Sequence, residues 1–140
     1  MSNSKSKLEL VTNLDAAFTR SLKQLDRRLS VHGISYTELM VLHHLNGSSN
    51  QSMRRIDLAE SIGLTASGVT RLLLPMEKRH LVERDANPHD ARVSLIKLTA
   101  AGKSLYRNAF TTFQSCADAL TESLTEKQLK TLSELLNLVR

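Results

Sequence analysis

The sequence predicts a mainly α-helical domain carrying one short β-hairpin, and three observations support this. Apolar residues recur at spacings of three and four through most of the 140 residues, the period of a helix with one buried face. Trp is absent and aromatic residues make up only 4%, so aliphatic side chains fill the core. Five glycines and two prolines are too few for a sandwich or barrel that turns roughly every ten residues. The 41% hydrophobic and 24% charged balance is that of a folded globular chain, and its length suits a single domain over residues 1–140.

After a polar start, Val11, Leu14, Phe18, Leu22, Leu25 and Leu29 form one stripe of a long helix over 8–31. His32-Gly33 ends it, since glycine accepts the left-handed conformation common just past a helix. Ser35-Tyr36-Thr37-Glu38 reads as a capping box opening a second helix through Leu39, Val41, Leu42 and Leu45. Residues 46–50 read as a loop. Ile56, Leu58, Ala59 and Ile62 mark a short third helix closed by Gly63. Thr65 caps a fourth, with Val69, Leu72, Leu73 and Met76 on one face. Leu81–Asp85 and Val93–Leu98 read as two strands flanking a polar turn. Thr99 caps a long fifth helix with Leu105, Ala109, Phe113, Ala117 and Leu120 inward. Thr125-Glu126-Lys127-Gln128 is a second capping box, opening a helix through Leu129, Leu132, Leu136 and Val139.

Charge is unevenly distributed. Residues 54–107 hold ten basic and six acidic side chains, whereas 108–140 hold three and four, within a net +5. A basic middle between weakly charged ends suits a module facing a polyanion. No stretch approaches the ~20 apolar residues of a membrane span, and the first residues lack a signal-peptide apolar block. A single cysteine makes no disulfide framework, so a reducing cytoplasm is the expected location.

Two short helices joined at Gly63, followed by a hairpin, form a winged helix-turn-helix pattern. The second helix of such a motif enters the major groove with its first residues against base edges. Those residues are Thr65, Ala66, Ser67, Gly68, Thr70 and Arg71. Ser67 and Thr70 can bond bases or phosphates, Ala66 can touch a thymine methyl, and Arg71 can read guanine or grip phosphate. Arg54 and Arg55, opening the third helix, suit phosphates. In the hairpin loop, Arg92, with His89 nearby, suits a narrow minor groove, and Asp90 can orient Arg92. Spacing alone also fits a small interaction domain with a solvated basic face, its Asp90–Arg92 pair a surface ion pair.

The combination of Ile56-Asp57-Leu58-Ala59, Gly63-Leu64, Val69-Thr70-Arg71-Leu72, Met76-Glu77-Lys78-Arg79, Leu81-Val82-Glu83-Arg84, Asp90-Ala91-Arg92 and Leu98-Thr99-Ala100-Ala101-Gly102 resembles the multiple antibiotic resistance regulator (MarR) family. The resemblance is close over residues 56–102, and the flanking helices extend it to nearly the whole chain. It implies a homodimeric transcription regulator, usually a repressor, on palindromic double-stranded DNA. It further implies that residues 8–32 and 99–140 supply dimerisation helices around a DNA-binding lobe at 35–98. A small, often aromatic, effector bound between the two regions would release the DNA. Two residues depart from the family pattern. His80 stands where members usually have glycine, predicting strain or a changed turn. Pro75 stands inside the fourth helix, predicting a kink or early end near Leu74.

The apolar stripes of the first and last helices are longer than a winged helix needs to cover itself. They fit either a dimer interface or a monomeric core. Arg28, Tyr36, His43 and His44 are candidates for the effector cleft. Cys116 fits a small buried hydrophobe or a redox sensor. No His-x-x-x-His or Cys/His pair stands at ligand spacing, so neither a metal nor another cofactor is expected. Neither a phosphate loop nor a nucleophile elbow is present, so no enzyme is expected. The alternative function is a dimeric small-molecule or protein-binding module that has lost sequence-specific DNA binding.

Overall fold

A computed structural model describes residues 2–86 and 94–140. Six helices run in order: α1 (Ser2–Leu29), α2 (Tyr36–Asn46), α3 (Arg55–Ile62), α4 (Ala66–Lys78), α5 (Ala100–Leu120) and α6 (Glu126–Leu136). Three strands, β1 (Ser52–Arg54), β2 (Val82–Ala86) and β3 (Ser94–Leu98), form an antiparallel sheet in the order β1-β3-β2. The chain is a winged helix-turn-helix between long helices, and its wing sheet has one strand more than the expected two. Ser52-Met53-Arg54 is too short to show an alternating pattern. Its strand character comes from pairing with Lys97-Ile96-Leu95 of β3.

The local signals act where they stand. Ser35 Oγ accepts from the Glu38 amide at 3.1 Å while Glu38 Oε1 accepts from the Ser35 amide at 2.9 Å, closing the capping box of α2. Thr125 and Gln128 close a second capping box on α6, whereas Thr65 and Thr99 cap α4 and α5 by accepting from the Gly68 and Gly102 amides alone. Gly33 and Gly63 both take left-handed φ near +70° at helix ends. The core is built on α2, whose Leu39, Val41, Leu42 and Leu45 are fully buried. Leu25 and Leu29 of α1, Leu58 of α3, Val69, Leu73 and Met76 of α4, and Ile96 of β3 close around it.

Some faces differ from their sequence reading. Ile56 is 69% exposed. At 100° per residue it lies about 110° round the helix from the face shared by Leu58, Ala59 and Ile62. On α5 the buried residues are Gly102, Tyr106, Ala109 and Cys116, with Leu105, Phe113 and Leu120 half-buried beside them. α4 does not end near Leu74 but continues through Pro75 to Lys78. Pro75 lies on the exposed side, where losing one backbone hydrogen bond costs a helix least. Leu73 and Met76, fully buried on the other side, hold the helix together across it.

His80 takes a left-handed φ of +60°, which costs an L-residue about 1–2 kcal/mol. Glycine removes that cost but loses about 0.5–1 kcal/mol more chain entropy on folding. His80→Gly is therefore expected to raise stability by about 0.5–1 kcal/mol in urea unfolding. A lower unfolding midpoint would contradict this account of the turn.

Candidate nucleic-acid interface

The Gly63 turn brings α3 against α4. The Leu64 amide reaches back to the Ala59 carbonyl at 2.9 Å, and Ala59 is 5% exposed, so a small side chain lies where the helices cross. Val69, Leu73 and Met76 commit one face of α4 to the core. The opposite face of its first two turns is solvent-facing, with Thr65, Ala66, Ser67 and Arg71 all exposed. Arg71 has no side-chain partner among the described residues.

The other predicted residues are tied to one another. Thr65 Oγ1 accepts from the Gly68 amide at 3.1 Å and lies 3.3 Å from Ser67 Oγ. Thr70 Oγ1 donates to the Ala66 carbonyl at 3.0 Å and accepts from Arg55 Nη2 at 2.9 Å. Arg55 thereby bridges α3 and α4. Arg54 forms a two-pronged pair with Asp57, Nε to Oδ2 at 2.8 Å and Nη2 to Oδ1 at 3.1 Å. The hydrogen bonds and charge of that pair hold Asp57 below the usual carboxylate range and Arg54 above its own. Arg54, Arg55, Ala66 and Thr70 border one open groove of about 760 Å³, with Ile56 and Leu64 contributing apolar walls.

His89, Asp90 and Arg92 lie outside the described residues. Within the described wing, Arg84 Nε of β2 lies 3.3 Å from Glu77 Oε1 of α4, an exposed pair joining hairpin to helix. Sequence reading missed Asp57, Glu77 and Arg84. The Arg54-x-x-Asp57 spacing was a legible helical signal, whereas Glu77 and Arg84 meet only through the tertiary fold.

The effector-cleft candidates fall largely together. His43 Nδ1 is 2.7 Å from Tyr106 Oη. Rings then follow in a row from His44 to His43, Tyr106, Phe110, Phe113 and Tyr36, with successive centroids 5.5–6.3 Å apart. Four of the chain's five Phe and Tyr side chains stand in this row between α2 and α5, and the i, i+4, i+7 spacing of Tyr106, Phe110 and Phe113 was its sequence signal. Burial raises Tyr36 and Tyr106, and burial and then the neighbouring His43 charge push the His44 imidazole below its ordinary value. Arg28 stands apart at the α1–α5 contact, Nη2 donating to Ser115 Oγ at 2.8 Å.

Comparison with known proteins converges on one family. A MarR family model matches residues 34–94. The HTH-type transcriptional regulator MhqR of Bacillus subtilis is 26% identical over 94% of this chain and 90% of its own. The transcriptional repressor MprA of Escherichia coli is 25% identical over 84% of this chain, which spans 66% of that repressor's length. A mutant of E. coli MarR, solved in complex with operator DNA, has the same fold. Its TM-score is 0.87 at 24% identity, covering 96% of this chain and 95% of that one. Among the described residues no helix is long and apolar enough to cross a membrane.

Proposed function

We propose that this chain is a MarR-type regulator: a homodimeric transcriptional repressor that binds a palindromic operator and leaves it on binding a small-molecule effector. The relatives named above are regulators, one of them a repressor, and one family structure carries operator DNA. The observation carrying the reading is the division of α4: Val69, Leu73 and Met76 buried, Thr65, Ala66, Ser67 and Arg71 presented to solvent. A helix packed by one face with short polar residues on its other, leading face is shaped for a major groove.

In this reading Ser67 and Arg71 meet base edges, with Ala66 against a thymine methyl. Thr65 caps the helix start and can donate outward to phosphate, while Thr70 holds Arg55 beside the DNA-facing end. Arg54 and Arg55 approach the backbone from the start of α3, and Arg92, oriented by Asp90 and flanked by His89, enters the minor groove. Residues 35–98 form the DNA-binding lobe, and 8–32 with 99–140 form the dimer helices. The aromatic row from Tyr36 to His44 is the natural wall for an aromatic effector, because flat rings stack on it and His43 and Tyr106 supply polar edges. A DNA-binding regulator of this type works in the cytoplasm and performs no catalysis.

Filter binding to sheared genomic DNA at several salt concentrations tests the reading. Retention falling steeply with salt is expected. Salt-independent or absent retention would favour a module without DNA recognition. Arg71→Ala is expected to weaken binding to the preferred sequence by about tenfold to a hundredfold if it reads guanine. If it grips phosphate, the slope of log K against log salt falls by about 0.9 instead. Neither change would remove Arg71 from the interface.

A further inference from the structure

The carboxyl-terminal turn of α4 is fastened to several parts of the chain, and one fastening crosses to the turn between α1 and α2. Arg79 Nη1 donates to the Gly33 carbonyl at 2.6 Å. Gly33 has φ +72°, and a Cβ there would stand 3.2 Å from Arg79 Nη2, so the guanidinium lies closely against the glycine. On the other side, Thr99 Oγ1 lies 2.6 Å from the His80 carbonyl and 2.9 Å from that of Leu81, joining the same turn to the start of α5. The Gly33 turn is itself pinned to α5, His32 Nε2 lying 2.7 Å from Thr112 Oγ1.

Arg79 follows Arg71 by eight residues, about 12 Å along the helix axis. It therefore sits at the opposite end of α4 from the side chains facing solvent at Thr65, Ser67 and Arg71. A small shift of the Arg79 end tilts the whole helix, because α4 is continuous through Pro75. A guanidinium on a carbonyl is a directional, charge-assisted hydrogen bond, able to fix that tilt against α1.

We propose that Arg79 is a positioning residue for operator recognition: by holding the Gly33 carbonyl it sets the tilt of α4 relative to α1 and α5, so that movement of those helices reorients the DNA-reading end. This rests on α4 being the reading helix. Arg79 acts here through backbone geometry, not by touching DNA. That separates it from an arginine that merely adds a phosphate contact.

The test compares the full-length chain with Arg79→Ala on two duplexes, one enriched from a random library by the unmodified protein and one of shuffled sequence. Arg79→Ala is expected to bind the enriched duplex about tenfold more weakly, the shuffled duplex equally well, and with an unchanged salt slope. Equal weakening on both duplexes, with a slope reduced by about 0.9, would overturn the proposal and make Arg79 a phosphate contact. Hydrogen exchange on the DNA-free protein gives a second measurement. Faster exchange in Arg79→Ala at amides 33–36 and 76–80, with α6 unaltered, supports the fastening; unchanged exchange at both overturns it. Should the unmodified protein enrich no sequence, the DNA-reading premise fails, and the exchange result alone decides whether Arg79 holds Gly33.

Discussion

Gly102→Ala is expected to lower the melting temperature by about 10 °C at fixed protein concentration. The first turn of α5 passes directly over the backbone between α4 and β2. A Cβ on Gly102 would stand 2.1 Å from the Leu81 carbonyl oxygen and 2.8 Å from Leu98 Cδ1. Neither neighbour can retreat freely. The Leu81 carbonyl accepts from both the amide and the hydroxyl of Thr99, at 3.2 and 2.9 Å, and Leu98 is 4% exposed. Relieving the overlap means lifting α5 from the lobe, breaking those bonds and opening the core, at a cost of about 3 kcal/mol. The comparison is Ala101→Gly, one residue earlier and exposed, which costs only the ~1 kcal/mol helix propensity of glycine. A melting temperature for Gly102→Ala within about 2 °C of the unmodified chain would show that the close approach does not exist.

The second large effect is expected at the end of the chain. α6 buries none of its residues. Leu129, Leu132 and Leu136 line up on it at spacings of three and four, and Val139 follows just past its end, each 43–51% exposed. At the other end, Leu8, Val11 and Phe18 of α1 are 59–68% exposed, although the same stripe continues into Leu25 and Leu29, which are buried. Two such rows left in water on one protomer are far more apolar surface than a small monomer normally exposes in helices. Their covering by a second copy explains both. The double substitution Leu132→Glu/Leu136→Glu places four carboxylates in a two-fold interface. Each displaced leucine forfeits about 1 kcal/mol or more, so dimer dissociation rises by on the order of a thousandfold. Sedimentation equilibrium at micromolar concentration is expected to show a monomer, and duplex binding falls with it because only one half-site is engaged. A variant that remains dimeric would move the interface elsewhere.

Much of the fold was legible because its signals are local. Ser35, Thr65, Thr99 and Thr125 each act within three residues, and Gly33 and Gly63 each act on their own φ. His80 also took the strained backbone that its place in the turn implied. What escaped the sequence depends on partners distant along the chain. β1 exists through its pairing with β3. Pro75 is tolerated because burial of Leu73 and Met76 outweighs a hydrogen bond lost on the wet side. Ile56 helps to mark the third helix in the sequence, yet its angle places it outside the face that Leu58 and Ala59 bury. At the candidate interface the reading helix and its exposed residues were visible, whereas the arrangement of their charges was not. Arg55 is shared with Thr70, and Arg79 with a carbonyl 46 residues away. Such pairings follow from the approach of whole helices, which no spacing rule encodes.

The account holds that the protein reads DNA as a two-fold dimer with α4 in successive major grooves. Selecting bound duplexes from a random library with the full-length protein, then sequencing them, tests this most directly. The expected result is an inverted repeat whose half-sites are centred about 10–10.5 base pairs apart, one helical turn or about 34–36 Å, or a multiple of that spacing. Arg71→Ala is expected to relax preference within each half-site. A library returned without enrichment, or a single site lacking two-fold symmetry, would contradict the account.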